Sequence, residues 1–207
     1  MINIDPITLE PTIDLDAPAW YSPPIGVEPE TVREWALAIA TESAEDQGRP
    51  WAADEAAATL TELGLLEAGP DVSARIIFLP DLTGRGLAYD IAAFDPAGGP
   101  TDVRQAHRML LGADEVGEGS LLDINALDDD GAIVGLQVFD VRDSLPQEVP
   151  GGATIIPIAF SRCVIRRSNT PLGTIDLLAA GVCEDIELAA FSLVPLHLLL
   201  LGDRLFE

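Results

Sequence analysis

Three hairpin patterns restrict the fold of this chain more than any other feature. Apolar runs at residues 121–127 and 133–141 flank Asp-Asp-Asp-Gly at 128–131, where the aspartates tolerate turn conformations and Gly131 can supply a positive φ. Strands joined by such turns are antiparallel, so the chain is predicted to form an antiparallel sheet. Further paired runs lie at 74–79 with 87–94, and at 153–165 with 174–182.

Before Pro70 the apolar residues recur with a helical period. Val32, Ala36 and Ala40 fall on one face of a helix predicted over residues 29–47. A second helix is predicted over residues 52–67, where Gly69-Pro70 ends it. Together they make an acidic helix pair at 29–67.

These elements predict an α+β fold in which helices pack on an antiparallel sheet as a helix–sheet–helix sandwich. Residues 1–27 are predicted to form an extended arm that contributes one edge strand, and residues 28–207 a single domain. In chain order, that domain is expected to contain the acidic helix pair at 29–67, a hairpin-rich sheet at 73–182, and a helix and strand at 186–206. A short helix is expected within the sheet region at 102–111, with Thr101 as its N-cap. The last helix is expected to be disturbed at Pro195.

The order of these segments resembles that of a known family. Three segments carry the resemblance: Asp16-Ala17-Pro18-Ala19-Trp20, the strand Ile76-Ile77-Phe78-Leu79-Pro80, and the tail at 182–206. In these the chain resembles small actinobacterial proteins of the PsbP-like sandwich type. The resemblance implies a helix–sheet–helix sandwich that binds partners or assists assembly, and it transfers no catalytic residue.

Charge excludes several functions. The chain has eleven arginines, no lysine and thirty-five acids, which gives a net charge of −24. No lysine is therefore present to bind phosphate or form a Schiff base, and we expect no nucleic-acid partner. Residues 1–70 hold fourteen acids and two arginines, a net of −12, so the charge is densest around the helix pair. Solubility through self-repulsion is the competing interpretation of this charge.

Side chains with catalytic or metal-binding chemistry are few. His107 and His197 lie in apolar company and make no zinc-binding pattern, and the turn at 128–131 lacks the ligand spacing of a calcium loop. Cys163 and Cys183 form no C-x-x-C motif and are typical of a reducing cytoplasm. We expect no catalytic residue, no metal and no cofactor.

The register of the last hairpin bears on the cysteines. If Arg167 pairs near Thr174, Cys163 faces Leu178 and Cys183 faces Ile158. The two thiols are then too far apart for a disulfide, so both are expected to be free.

Arg162, Arg166 and Arg167 form the one basic concentration. Alternation along a strand places Arg162 and Arg166 on the same face and Arg167 on the other. The group is interpreted either as an anion-binding site or as partners for the protein's own acids, and the second interpretation is preferred.

The sequence favours a non-enzymatic cytoplasmic protein that binds a basic protein partner, as a secretion-associated adaptor or chaperone or as an immunity-type protein. The charges steer association, while apolar anchors supply affinity. One alternative is a small hydrolase or ligand-binding enzyme with an acidic cleft near residues 162–167. Another is a structural subunit that assembles or oligomerises through the arm. No membrane span is expected. The predicted partner-binding residues are Glu30, Glu34, Glu42, Glu45, Trp20, Tyr21 and Trp51, with Trp35 as a further candidate anchor.

Overall fold

Hairpin connections produce the antiparallel sheet that the sequence predicts. The structure, a computed structural model, describes residues 2–4, 11–13, 19–97, 99–113, 116–117, 120–125, 132–144, 147–149, 152–170 and 173–201. Within these ranges, seven antiparallel strands form the main sheet. In sheet order they are β3 (Trp20–Tyr21), β4 (Ala74–Phe78), β5 (Leu87–Phe94), β11 (Gly173–Cys183), β10 (Pro157–Thr170), β7 (Ile133–Asp143) and β6 (Leu121–Asn125).

Two small ribbons lie outside the main sheet. Strand β1 (Ile2–Ile4) pairs with β2 (Pro11–Ile13), and β8 (Gln147–Val149) pairs with β9 (Gly152–Thr154). The region predicted to be an extended arm therefore contains a hairpin of its own as well as the edge strand β3. The predicted turn at 128–131 and the predicted terminal strand near 204–206 lie outside the described residues.

The described helices are four, and they follow the predicted order. The first two are joined by a 3₁₀ turn at Pro50–Ala52. None of the four has both the length and the apolar composition required to span a bilayer. Their bounds are α1 (Pro29–Asp46), α2 (Ala53–Gly64), α3 (Val103–Leu110) and α4 (Ile186–Leu201).

One local prediction about the helices is wrong. Asp102, and not Thr101, caps α3: its Oδ1 accepts hydrogen bonds from the backbone N–H groups of Arg104 (2.9 Å) and Gln105 (3.4 Å). A carboxylate at this position also favours the positive end of the helix dipole. Helix α4 runs through Pro195 to Leu201, with the proline inside it, where no N–H is present to bond the carbonyl oxygen four residues earlier.

The helices lie on both faces of the sheet, which confirms the helix–sheet–helix sandwich. Side chains alternate between the faces along each strand. On one face α4 packs mainly across β10, with further contacts to β11 and β7. On the opposite face α2 packs on β4 and β5, and α3 packs on β7 and β10, so three helices share that side.

Each helix layer has its own apolar core. Under α4, Ile76, Tyr89 and Cys163 are among the fully buried side chains. Under the helix pair, Ile77, Leu79 and small alanines of α1 and α2 make a second core. A third, smaller core lies beside α3. Its buried members are Leu111, Ala113, Val116, Leu136, Val138 and Val164.

The register of β10 with β11 differs from the predicted register by one residue. Cys163 faces Ala179 and Cys183 faces Ala159, in place of Leu178 and Ile158. The cysteines are therefore four residues out of register, about 13 Å at the usual rise per residue, which is too far for a disulfide. Both are free, which confirms the expectation for the thiols.

A buried arginine joins the helix pair to the sheet. The side chain of Arg75 on β4 is 2% exposed, and its Nε donates to Asp90 Oδ1 on β5 at 2.6 Å. Its Nη1 donates to the carbonyl oxygen of Leu66 at 2.5 Å, and the guanidinium lies within 3.4 Å of three more carbonyl oxygens, those of Leu63, Gly64 and Glu67. A cation at this position satisfies the open carbonyls at the end of α2 and favours the negative end of its dipole.

We predict that Arg75→Met lowers the free energy of unfolding by roughly 3–5 kcal/mol, because it leaves a carboxylate and several carbonyl groups without their donor. The matched control is Arg85→Met. Arg85 is 78% exposed and pairs with Asp185 at 3.5 Å, so its loss is expected to cost less than about 1 kcal/mol. Urea unfolding followed by circular dichroism measures both. Equal losses for the two variants would contradict the structural role of Arg75.

Candidate binding surface

The outer face of the helix pair is strongly acidic. Every acid within α1 and α2 is exposed, and the one basic side chain on these two helices, Arg33, pairs with Glu30 at 2.9 Å. The predicted site residues Glu34, Glu42 and Glu45 lie on this face beside Glu30. The other exposed acids of the two helices are Asp46, Asp54, Glu55 and Glu62.

The acids lie outwards because alanines fix which face is inward. Ala36, Ala40 and Ala44 repeat every four residues on α1 and are fully buried, as are Ala52 and Ala56 of the neighbouring segment. Small side chains at this spacing let two helix backbones approach closely, and they lose little side-chain entropy on burial. The charged residues are left on the solvent side of both helices.

Trp51 is exposed at the corner where α1 leads into α2. Its side chain is 70% exposed, although an indole of this size is usually largely buried. It lies in the 3₁₀ turn that follows Gly48, whose φ of +67° suits a residue without Cβ. In the sequence Asp46 precedes the corner and Asp54 follows it, and both are exposed.

The corner is held by contacts with the loop between β4 and β5. The guanidinium of Arg49 lies 5.0 Å from the centre of the Trp51 ring, within cation–π range. Arg49 Nη1 donates to Asp81 Oδ1 at 3.0 Å, and Nη2 donates to Thr83 Oγ1 at 3.4 Å. These bonds anchor the Arg49 side chain on which the indole rests.

Asp81 is an ionised partner for this arginine. Hydrogen bonds from the backbone N–H of Thr83 and from Arg49 lower the pKa of Asp81 below its ordinary value. The ion pair therefore persists at any pH near neutrality. The tryptophan is exposed but already positioned, so a partner would lose less entropy on binding it.

Trp20 and Tyr21 do not belong to this surface, and their prediction as partner anchors is wrong. Trp20 is 5% exposed and packs on Phe78, with ring centres 4.8 Å apart, while Tyr21 is 9% exposed in the helix-pair core. Both lie in β3, the edge strand, where alternation sends one side chain into each core. Trp35 is half-buried against the helix-pair core.

The arginines of β10 are engaged within the protein. Arg166 makes a bidentate pair with Asp176 of β11, in which Nε–Oδ1 and Nη2–Oδ2 are both 2.8 Å. Arg162 donates through Nη1 to the carbonyl oxygen of Leu111, next to α3. Arg162 and Arg166 thus share the α3 side of the sheet, as alternation predicts, and Arg166 serves an internal acid. This outcome favours internal pairing over an anion site.

Asp176 is the residue near these arginines that the sequence interpretation missed. It is 1% exposed, and His107 Nε2 lies 3.1 Å from its Oδ1. Burial alone would raise the pKa of Asp176, but hydrogen bonds from Arg166 and His107 outweigh burial and hold this pKa at about 2. The carboxylate is therefore a permanent anion that fixes α3 to the sheet.

His107 is a core histidine, as its apolar neighbours on the helix indicate. It is fully buried, and when its ring proton is on Nε2 it donates to Asp176. Its Nδ1 makes no hydrogen bond to any described residue. An unpaired acceptor is less costly in a core than an unpaired N–H, so the tautomer with the proton on Nε2 fits this position.

Burial raises the pKa of both thiols, so neither Cys163 nor Cys183 is activated as a nucleophile. Burial raises the pKa of Cys163 far above its ordinary value, so this thiol stays protonated. For the half-buried His197, burial lowers the pKa, because it disfavours the charged form of the ring. No group of three or more His, Cys, Asp or Glu side chains among the described residues could hold a metal ion.

Comparison of the chain with protein-family models, with curated proteins and with solved structures finds no match. The resemblance to PsbP-like proteins therefore stays a prediction.

We predict that Asp176→Asn lowers the free energy of unfolding by about 2–4 kcal/mol at neutral pH, because Arg166 and His107 lose a buried anion. A depressed folded pKa gives stability that is present above the unfolded value of 3.8 and is lost as the pH falls towards about 2. The difference between wild type and variant should therefore shrink by roughly 2 kcal/mol between about pH 5 and pH 2.

Asp123→Asn is the control for this measurement. Asp123 also pairs with an arginine, Arg104, at 2.8 Å, but both side chains are about one-third exposed. Its replacement should change stability little at any pH. A stability difference for Asp176→Asn that stays constant from neutral to acid pH would refute the lowered pKa.

Proposed function

We propose that this protein binds a basic protein partner through the outer face of α1 and α2, with Trp51 as the apolar anchor. The observation that carries the proposal is Trp51 itself, 70% exposed and held by Arg49 within an acidic surface. An acidic surface alone is explained by solubility. An exposed indole at the corner of this surface is not, because its exposure costs solubility and contributes nothing to the cores.

The two parts of the surface would do different work in binding. The carboxylates of residues 28–67 act at a distance, attracting a basic partner and raising the rate of encounter. Trp51 acts at contact, since tryptophan is among the residues most often responsible for binding energy at the centre of an interface. Its fixed position reduces the entropy lost on association.

The charge also decides the class of partner. A chain of net charge −24 repels nucleic-acid phosphates, so a basic protein is the partner that fits. A cytoplasmic adaptor or chaperone for a secreted protein, or an immunity-type protein that neutralises a basic toxin, is consistent with such a surface. We favour these roles over a structural subunit, which would need no acidic face of this density.

The alternative of an enzyme with an acidic cleft near residues 162–167 receives less support. An acid–base catalyst needs a carboxyl group whose pKa lies near the working pH. The carboxyl beside this strand, Asp176, has its pKa shifted to about 2 and both oxygens bonded to Arg166. Such a group favours a structural role.

We predict that changing Glu30, Glu34, Glu42 and Glu45 to Gln slows association with the partner about tenfold at low salt. Raising the salt from about 0.1 M to about 1 M should have a similar effect on wild type, because the Debye length falls from about 10 Å to about 3 Å. Partners are first captured from host extract, and surface plasmon resonance then measures the rates. The dissociation rate should change little.

The control for this experiment removes the same charge elsewhere. The control variant replaces four exposed acids outside the helix pair, by Asp95→Asn, Asp123→Asn, Glu184→Gln and Glu187→Gln. If the location of the charge matters, this variant should associate nearly as fast as wild type. Association rates that ignore salt and both variants would leave the acidic face with a role in solubility alone.

We predict that Trp51→Ala weakens partner binding by at least about 30-fold, mainly through faster dissociation, because a central anchor is removed. The melting temperature should stay close to that of wild type, since the ring is largely exposed. Met109→Ala is the matched control: Met109 is 63% exposed on α3, and its truncation should leave binding unchanged. Wild-type affinity in Trp51→Ala would sink the proposed anchor.

A further inference from the structure

After its first turn, which contains Glu187, the outer face of α4 is apolar and carries no charged side chain. Residues 188–201 contain no acid and no arginine. Three large apolar side chains of this helix are exposed: Phe191 at 64%, Val194 at 56% and Leu198 at 39%. At spacings of three and four residues they lie along one stripe of the helix. Each of the other described helices exposes at most one large apolar side chain, Leu37 on α1 and Met109 on α3.

Only Phe191 of this stripe also helps to hold α4 on the sheet, since its ring centre lies 5.9 Å from that of Phe78 on β4. The inner side of the helix already fills the core with Ala189, Leu196 and Leu200, all fully buried. Hydrogen bonds fix it as well: Ser192 Oγ lies 2.6 Å from the Tyr89 hydroxyl, and Gln137 Nε2 donates to a carbonyl oxygen of the helix at 2.8 Å. A helix that is apolar all round is normally covered on every side, so the exposed stripe marks an interaction surface.

Charge indicates what covers the stripe. A basic partner finds no carboxylate along residues 188–201. Two copies of a chain of net charge −24 repel each other, but least where both surfaces are neutral. Residues 144–207 hold seven acids and four arginines, a net of only −3. The stripe of α4 thus lies in the part of the chain where a second copy can approach at lowest electrostatic cost.

We propose that α4 packs against α4 of a second copy, with the two helices antiparallel across a twofold axis near Val194. In this arrangement Phe191 of each copy lies opposite Leu198 of the other. Glu187, exposed on the same stripe one turn before Phe191, decides the direction. A parallel pair would place the two Glu187 side chains together, whereas the antiparallel pair separates them by roughly 22 Å along the helices.

The size of the contact sets its strength. Sixteen residues make a helix about 24 Å long. One helix against another buries less than the ~800 Å² per partner of a standard interface. The dimer is therefore reversible, and its population depends on protein concentration. Salt should strengthen it by screening the repulsion between copies, which is the opposite of the salt effect expected for a basic partner.

Sedimentation velocity on the full chain, at about 1 to 200 µM protein and in about 0.1 M and about 1 M NaCl, tests this dimer. We expect a dimer fraction that grows with concentration and with salt. Val194→Glu should be monomeric throughout. Met109→Glu adds the same charge at an exposed apolar position of α3, so it should dimerise like wild type. Circular dichroism checks the fold of both, and Phe191→Ser replaces Val194→Glu if the latter fails to fold.

Cross-linking tests the direction of the helices. In a Cys183→Ser background, mild oxidation of mixed Phe191→Cys and Leu198→Cys proteins should give a covalent dimer of one copy of each. Phe191→Cys alone should cross-link poorly, because its two thiols lie about 10 Å apart along the antiparallel pair. Wild type that stays monomeric under all conditions, or Val194→Glu that dimerises equally well, would overturn the dimer. Faster cross-linking of Phe191→Cys alone would overturn its antiparallel geometry.

Discussion

The guanidinium of Arg75 links the two layers on which the proposed binding face depends. Helix α2 ends, like every helix, with carbonyl groups that have no partner within the helix. Arg75 rises from β4 into that position, bonds Asp90 on one side and reaches four carbonyl oxygens on the other. Because it is 2% exposed, these bonds act where water does not compete. The orientation of the helix pair, and with it the acidic face, follows from this contact.

The sheet separates two surfaces of opposite character. On one side the helix pair presents its carboxylates and the exposed Trp51, and on the other α4 presents the apolar side chains of Phe191, Val194 and Leu198. The seven strands hold these surfaces on opposite faces of one sheet. A basic partner on the helix pair and a second copy on α4 would therefore not compete for space. Their opposite dependence on salt makes the two associations separable in solution.

Periodicity was enough to predict the fold class, the hairpins and the order of the helices, because those features depend on local sequence. Long-range contacts were harder. The predicted register of β10 with β11 was one residue away from the observed one, and this error hid the pairing of Arg166 with Asp176. Requiring the single acid of β11 to face an arginine would have corrected it. The burial of Trp20 and the exposure of Trp51 also depend on where the tertiary fold places each residue. The local sequence around a tryptophan does not show this.

The stripe of alanines between α1 and α2 has a consequence for how this protein can change over generations. The joint between the helices relies on Ala36, Ala40, Ala44 and Ala56, whose side chains point away from solvent and are all fully buried. The residues that would meet a partner lie on the other side of the same helices. Substitutions can therefore accumulate on the outer face while the joint stays fixed. Descendants of one ancestral scaffold could adopt different partners without refolding.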